Sequence, residues 1–454
     1  MAVVKEGSTE APVRRPLAWQ SAEFWDEAKL DAELRRVFDL CHGCRRCFNL
    51  CDSFPRLFDL VDASPTGELD EVKSADFKPA IDACTLCDLC FMTVCPYVPP
   101  HDFDLDFPHL VLRARAIAHS KGETPFAARQ LTATDRNGTA ASLVSTLANW
   151  ATDRGNALGR GVLQAAADVH REAALPRFAG RTFAVQAAQE PPALNRTAPA
   201  FGRKAVLYAT CFCNYNNPEI GMATRAVLAH LGVETEVVYP ACCGMPQLEH
   251  GDLESVAAKA RKVSAALGSW IERGYDVVAL VPSCALMLKF EWPLILPGDA
   301  AIAKLSKATR DIAQYVVEIA RKEGLPPGLK PLPGGVALHL ACHARAQNLG
   351  PKAAEMLKLI PGAELSVIER CSGHGGSWGI TSDNFPVAIK QGRPVARQAN
   401  AALIEGKRYL ASECPLAGEH ILQGVERLPE PAAAAPEHAL HPIQLFALAY
   451  GLGG

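Results

Sequence analysis

A chain of 454 residues with 49% hydrophobic content has the length of about three globular domains and enough apolar side chains to build their cores. Its 46 basic and 49 acidic residues leave a net charge of -3, too weak a field to recruit nucleic acid, so no nucleic-acid partner is expected. The 17 Phe, 8 Tyr and 6 Trp, with only 21% charged residues, exclude a disordered chain; the outlying number is 16 cysteines.

The first residues, Met1 to Gly7, hold no apolar signal-like stretch and no amphipathic transit pattern, which points to the cytoplasm. Thiols are kept reduced there, so this many in a long chain indicate metal or redox sites rather than a disulfide framework. No window approaches the ~18 consecutive apolar residues of a bilayer span. The longest apolar run, Val277 to Met287, is interrupted by Pro282, Ser283 and Cys284 and reads as a buried strand running into a loop. Any membrane contact is therefore expected to be peripheral, on the inner face.

Residues 1–20 are polar and rich in Pro and Arg, and read as a disordered lead. From Ser21 a helical spacing of Phe24, Trp25, Leu30, Leu34, Val37 and Phe38 runs into a first cysteine group at 41–51, and a second lies at 84–95. Residues 21–103 thus form a mostly helical, ferredoxin-type module. Residues 104–200 read as a helical connector, with Leu143, Leu147, Trp150, Leu158 and Val162 at helical spacing. Those apolar residues are expected to pack on the domains that follow, although Gly155, Gly159 and Gly161 weaken the helix.

Two units follow, 201–328 and 334–450, separated by Gly324-Leu325-Pro326-Pro327-Gly328 and Gly334-Gly335. Cys211 and Cys342, Cys242 and Cys371, Cys284 and Cys414, and Gly232 and Gly362 are paired at a spacing of about 130 residues, which marks an internal duplication. The trailing apolar segments at Ile312 and Ile443 correspond as well. Each unit alternates buried strands with helices and so predicts a parallel α/β sheet with its cysteines at the carboxyl ends of the strands. The fold class expected is α+β overall: the N-terminal helical module, then two tandem α/β cysteine-rich domains.

Cys41, Cys44, Cys47 and Cys51 have gaps of two, two and three residues, and Cys84, Cys87, Cys90 and Cys95 have gaps of two, two and four, followed by Pro96. This is close to the two-cluster ferredoxin signature, in which a tight loop brings soft thiolates to three corners of one cubane. The fourth cysteine of each motif crosses over in such pairs. One [4Fe-4S] cluster is therefore expected on Cys41, Cys44, Cys47 and Cys95, and a second on Cys84, Cys87, Cys90 and Cys51. Asp52 stands where proline is common, and the second motif has one extra residue before Cys95. The competing reading is a pair of zinc ribbons in an interaction protein, but three thiols at successive two-residue gaps suit tetrahedral zinc poorly.

Cys211, Cys213, Cys242, Cys243 and Cys284 converge if the first repeat's strands are neighbours. The two ferredoxin motifs, Cys211-Phe-Cys-Asn-Tyr-Asn-Asn-Pro-Glu, Cys242-Cys243-Gly244 and Ser283-Cys284 resemble the iron-sulfur subunit of anaerobic glycerol-3-phosphate dehydrogenases. The wider family includes heterodisulfide reductase and the iron-sulfur subunits of lactate and glycolate oxidases. The likeness runs from about residue 35 to 450 and includes Thr134-Asp135 and Asn149-Trp150. It implies that the CCG repeat holds a further, non-cubane iron-sulfur cluster on Cys211, Cys242, Cys243 and Cys284, with Cys213 as a fifth thiol. The second repeat departs from the pattern. Ser372 replaces the second Cys of the pair and Ala417 stands where a closing thiol belongs, leaving Cys342, Cys371 and Cys414, with His374 and, more weakly, His343 as candidate partners for iron or zinc. A helix starting after each Gly-rich turn is expected to aim its N-terminus at the thiols.

No G-x-G-x-x-G fingerprint, P-loop or H-E-x-x-H pair is present, so electrons must come from a redox partner protein such as a flavin dehydrogenase. The function expected is an iron-sulfur electron-transfer subunit that relays electrons through two clusters to a cysteine-rich or quinone-linked site at the membrane. Heterodisulfide reductase-like disulfide reduction is the alternative.

Overall fold

The computed structural model describes residues 7, 8 and 10–452. Helix α1 (Glu27–Cys44) starts at Asp26, whose carboxylate accepts from the N–H groups of Ala28 and Lys29, and buries Leu30, Leu34, Val37 and Phe38 at three- and four-residue spacing. It ends at Arg45, where φ is 54°, so that Cys41 and Cys44 occupy its last turn. Helices α2 (Ser53–Asp62) and α3 (Lys78–Asp82) close the module. The core is aromatic: Phe38 meets Phe77 edge-on at 5.1 Å, and Phe54 meets Phe107 at 4.7 Å.

The expectation of a disordered lead does not hold for its described part; residues 1–6 and 9 lie outside the described residues. Ser8 and Val13 donate backbone hydrogen bonds to Pro96 and Pro99, Leu17 donates to Leu294, and the Trp19 indole N–H donates to the Ile295 carbonyl at 2.7 Å. Arg14 is the anchor. Its guanidinium contacts Asp88 at 2.7 Å, Asp106 at 2.8 Å and Glu291 at 3.0 Å, and lies over the Phe91 ring. Composition misled here because three distant carboxylates, not local pattern, order this segment.

The connector comprises α4 (Phe107–Ser120), α5 (Phe126–Leu131), α6 (Thr134–Leu143), α7 (Ser145–Thr152), α8 (Ala157–Ala167) and α9 (Phe183–Gln189). Helix α4 is buried on Leu110, Val111, Leu112, Ala116 and Ile117 and joins the module to the repeats. The expected packing of the connector's apolar residues on the repeats does not occur. Leu143 is 82% exposed, Leu147 61%, Trp150 63%, Leu158 84% and Val162 67%, because α7 and α8 lean on each other and turn this stripe outward. The helix nevertheless forms through Gly159 and Gly161, with Asn156 capping Gly159.

The first repeat runs β1 (Lys204–Tyr208), α10 (Cys211–Tyr215), α11 (Pro218–His230), β2 (Glu234–Val238), α12 (Met245–Leu248), α13 (Leu253–Glu272), β3 (Asp276–Ala279), α14 (Pro282–Leu286), α15 (Trp292–Ile295), α16 (Ala300–Ala308), β4 (Thr309–Asp311) and α17 (Ile312–Lys322). Its sheet is parallel throughout, in the order β2-β1-β3-β4. The central β1 is buried on both faces from Ala205 to Tyr208, as a helix-covered parallel strand must be. The apolar run at Val277 continues from β3 into helix α14, not into a loop.

The second repeat is shorter: β5 (Val336–His339), α18 (Cys342–Arg345), α19 (Lys352–Leu357), β6 (Leu365–Ile368), α20 (Phe385–Ile404), β7 (Tyr409–Ser412), α21 (Pro415–Glu426) and α22 (Pro442–Tyr450), with parallel order β6-β5-β7. The trailing helices are exchanged: α22 packs on α11 of the first repeat, and α17 packs on α19 of the second. The two sheets are thereby held by one shared helical layer. The fold class is α+β, with two small parallel sheets.

Candidate functional site

In the N-terminal module the chain brings eight thiols together in two groups. Cys41, Cys44, Cys47 and Cys95 line one cavity of about 300 Å³ with Phe54, Phe58 and Tyr97. Burial raises the Cys47 thiol to about 12, helped by neighbouring Cys95 and Cys44, and raises Cys41 well above the ordinary thiol value. Cys51, Cys84, Cys87 and Cys90 form the other group: burial, then Cys84 and Cys87, raise the Cys51 thiol, and burial, then Cys87 and Cys84, raise Cys90.

Local backbone explains the shape of these loops. Leu86 and Asp88 take left-handed φ values of 47° and 61° on either side of Cys87, so the Cys84–Cys90 loop curls into a concavity of the kind that gathers N–H groups around an anion. The N–H groups of Leu86, Ser53, and Tyr97 with Val98 favour thiolate at Cys84, Cys51 and Cys95 respectively. Thiols crowded four to a group, with Cys41, Cys47 and Cys95 in one and Cys51, Cys84 and Cys90 in the other held back from ionising by burial, fit a polynuclear cationic centre, which deprotonates its ligands outright.

In the first repeat, Cys211 follows β1, the Cys242-Cys243 pair follows β2 and Cys284 follows β3. The sulfurs form a chain: Cys211 to Cys242 is 3.7 Å, and Cys243 to Cys284 is 3.3 Å. Cys242 is the thiol pulled down toward ionisation, by its contacts with Cys211 and then Cys243, with the Gly244 N–H assisting. Cys211 and Cys243 shift upward, through their contact with Cys242 first, and burial adds to both. Cys213 lies outside the chain; burial pushes it up to about 12, and its N–H donates to the Thr210 hydroxyl at 3.2 Å. Thr210 itself sits at φ 51°, a strained residue between β1 and Cys211.

Residues that sequence reasoning did not assign complete this centre. Asp135 of α6 accepts from the Cys242 N–H at 2.9 Å and from the Tyr239 hydroxyl, and pairs with Lys259. The Trp292 indole donates to the Cys243 carbonyl at 3.1 Å. The Thr134-Asp135 likeness was the one signal of this network in the sequence.

In the second repeat, Cys342, Cys371 and Cys414 follow β5, β6 and β7, and with His374 they line one cavity of about 550 Å³ whose opposite wall carries Cys87. The neighbouring Cys371 and Cys87 raise the Cys342 thiol, with burial adding to it, and Cys342 in turn brings Cys371 down to about 7. Burial raises Cys414 to about 11. His374 is neutral, lowered to about 3 by burial and then by His420, and its Nδ1 accepts from the Gly376 N–H at 3.1 Å. His343 also lines this cavity, where burial lowers it against the opposing pull of Asp88 and the Leu86 backbone of the ferredoxin loop. The expected helix after each turn is present only in the first repeat; after Gly373 the chain makes a loop and a short turn before α20 begins at Phe385.

Between the two repeats stands Glu249, just after α12. Gly376 is at φ 60°, and a Cβ there would come within 2.6 Å of both Glu249 carboxyl oxygens, so only glycine lets the carboxyl in. Burial raises Glu249 to about 8 against the opposing charge of Arg115, which keeps it protonated at neutral pH. Nothing local in the sequence marked it.

Two parallel sheets with cysteines at their strand ends, one of them carrying the adjacent Cys242-Cys243-Gly244, define a cysteine-rich CCG protein, and the cysteine-rich CCG domain pattern matches residues 205–289. Lactate utilization protein A from Geobacillus sp. (strain WCH70) is 31% identical over 189 residues, which cover 39% of this chain and 75% of that protein, and the chain belongs to the cysteine-rich family it represents. A subunit of anaerobic glycerol-3-phosphate dehydrogenase from Escherichia coli (strain K12) is 28% identical over 271 residues, 56% of this chain and 63% of the relative. A subunit of fumarate reductase (CoM/CoB) from Methanothermobacter marburgensis is 25% identical over 232 residues, 50% of this chain and 43% of the relative. The match thus spans less than two thirds of the length of the glycerol-3-phosphate dehydrogenase relative. Among the described residues no helix is long and apolar enough to cross a membrane.

Proposed function

We propose that the protein is an electron-transfer subunit of a redox complex, with [4Fe-4S] clusters on Cys41, Cys44, Cys47 and Cys95 and on Cys51, Cys84, Cys87 and Cys90. A further iron-sulfur centre sits on Cys211, Cys242, Cys243 and Cys284. A partner flavoprotein supplies the electrons, and a quinone at the inner face of the membrane accepts them. The observation that carries the reading is the continuity of thiols: Cys342, Cys371 and Cys414 of the second repeat line one cavity with Cys87 of the ferredoxin-type module, and Cys414 lies within the electrostatic reach of Cys284 in the first. The relatives named as subunits of a dehydrogenase and a reductase agree with it.

When bound, iron-sulfur clusters supply one-electron carriage at potentials set by their surroundings. The chain's own groups do the rest. Backbone N–H groups of the Cys84–Cys90 loop and the Gly244 N–H stabilise thiolate, and Lys259 balances negative charge at Cys242 and Cys243. Buried aromatic residues such as Phe54, Phe58 and Trp292 keep water from the thiols.

Anaerobic purification followed by iron, zinc and acid-labile sulfide assay tests this. Iron with matching sulfide, and EPR signals after dithionite reduction, are expected; zinc without sulfide leaves an interaction scaffold as the better reading.

A further inference from the structure

Thr85, Glu249 and Gly375 form a wall shared by two cavities. On one side lies the second-repeat thiol cavity with Cys87. On the other, a cleft of about 1170 Å³ opens between α4, α5, the end of α8 and the loop from Gly375 to Asn384, and Cys84 lines it.

The chemistry of the cleft selects its ligand. Ala118, Ala128, Leu131 and the Trp378 indole give it apolar walls. Its cations are already committed: Lys78 holds Asp82 at 2.6 Å, and Arg115 donates to the carbonyls of Ile81, Asp82, Cys84 and Glu249. His250 bonds Ser377 at 3.2 Å, and burial keeps its ring neutral. A carboxylate or phosphate would find no unpaired positive charge among the described lining residues and would face the carboxyls of Asp82, Glu123, Asp168 and Glu249, whereas an uncharged flat ring finds apolar walls, with Glu249 the one carboxyl that also lines the thiol cavity.

We propose that this cleft binds the ring of a quinone and that the Glu249 carboxyl delivers a proton to one of its two carbonyl oxygens. This rests on the electron-transfer reading above and adds the place and the proton donor. Reduction adds two electrons and two protons and converts both C=O groups to C–OH. The electrons come singly along the thiol-lined route that ends at Cys84. One proton comes from Glu249, the other from water in the open cleft, and water then reprotonates the carboxylate. Glu249 is placed for this because it faces both the cleft and the cavity beside Cys87.

The test uses the anaerobic holoprotein and an azido-naphthoquinone photolabel, with peptides mapped by mass spectrometry. Label is expected in 118–131 and 375–384, and Ala128→Trp, which fills the cleft, should lower it at least tenfold; label elsewhere, or undiminished in this variant, overturns the site. Glu249→Gln should keep the label, keep KM for a water-soluble naphthoquinone and lower kcat at least tenfold, with Glu249→Asp restoring part of the rate. An unchanged kcat overturns the proton role. Oxidation of the reduced protein by hexaammineruthenium(III) separates the two levels of failure. If that reagent also draws no electrons, the electron-transfer reading has failed; if it does while quinone neither labels nor reacts, only this site has.

Discussion

Arg14 and Glu291, 277 residues apart, meet at 3.0 Å in the interior, and the same guanidinium also holds Asp88 of the ferredoxin-type loop and Asp106 at the start of α4. One side chain of the lead therefore fastens the module, the connector and the first repeat together. His109 lies between Asp106 and Glu291, at 3.3 and 3.2 Å, and completes the network.

Arg14→Leu leaves the buried Asp88 and Glu291 carboxylates and the half-buried Asp106 without their cation, an imbalance that costs about 3–5 kcal/mol when one partner of a buried pair is removed. The expected result is a fall of roughly 5–10 °C in the thermal midpoint of the holoprotein. Arg15→Leu is the control. Arg15 is 72% exposed in its pair with Asp104, and exposed pairs contribute about 0–1 kcal/mol, so a comparable loss in both variants would contradict the anchor role.

Cys87→Ser should remove about four irons per chain together with one cubane EPR signal, while far-ultraviolet circular dichroism stays at the wild-type level. The repeats have their own cores, so the loss is local. Full iron content in the variant would remove Cys87 from the ligand set.

Cys243→Ser should alter the EPR signal of the third centre and leave the two cubane signals in place, since Cys243 touches Cys284 at 3.3 Å and belongs to the first repeat. A spectrum identical to wild type excludes it as a ligand.

Lys259→Met removes the cation that stands beside Cys242 and Cys243 and pairs with Asp135. A reduced centre carries more negative charge, so its midpoint potential should fall, on the order of 60 mV for a tenfold one-electron effect. EPR-monitored redox titration reads this; an unmoved or raised potential counts against a centre at these thiols.

His441 caps α22 as a neutral ring: its Nδ1 accepts from the Ile443 N–H, and burial lowers it to about 3. The unfolded chain takes up a proton below about 6.5, whereas the folded chain resists until near 3, so stability should fall as pH drops through that window, by up to about 1.4 kcal/mol per pH unit for this group. His339, lowered to about 4 by burial, adds a slope of the same sign. His441→Asn retains a capping oxygen without the titration, and its midpoint should decline less between pH 6.5 and 4.5. An equal decline in both proteins removes His441 as the cause.

Much of the architecture was legible because its signals are short-range or periodic. Two-residue gaps confine Cys84, Cys87 and Cys90 to one tight loop, and a spacing of about 130 residues revealed the duplication before any strand was placed. The parallel sheets followed from apolar runs that end in Cys211, Cys284 and Cys342. The stripe from Leu143 to Val162 shows the limit of periodicity: it foretold helices, but whether a neighbour covers them is settled elsewhere in the chain.

By itself, then, the sequence determined which thiols can act together within a loop and that the back half is built twice, since both follow from local geometry and repetition. The tertiary structure alone decided that Arg14 is buried, that Cys342 and Cys87 line one cavity, that α17 and α22 change places, and that Glu249 stands between two cavities. Those are meetings of residues tens to hundreds of positions apart, chosen by how the helical layers pack, and no residue carries a local mark of the partner that packing will bring to it.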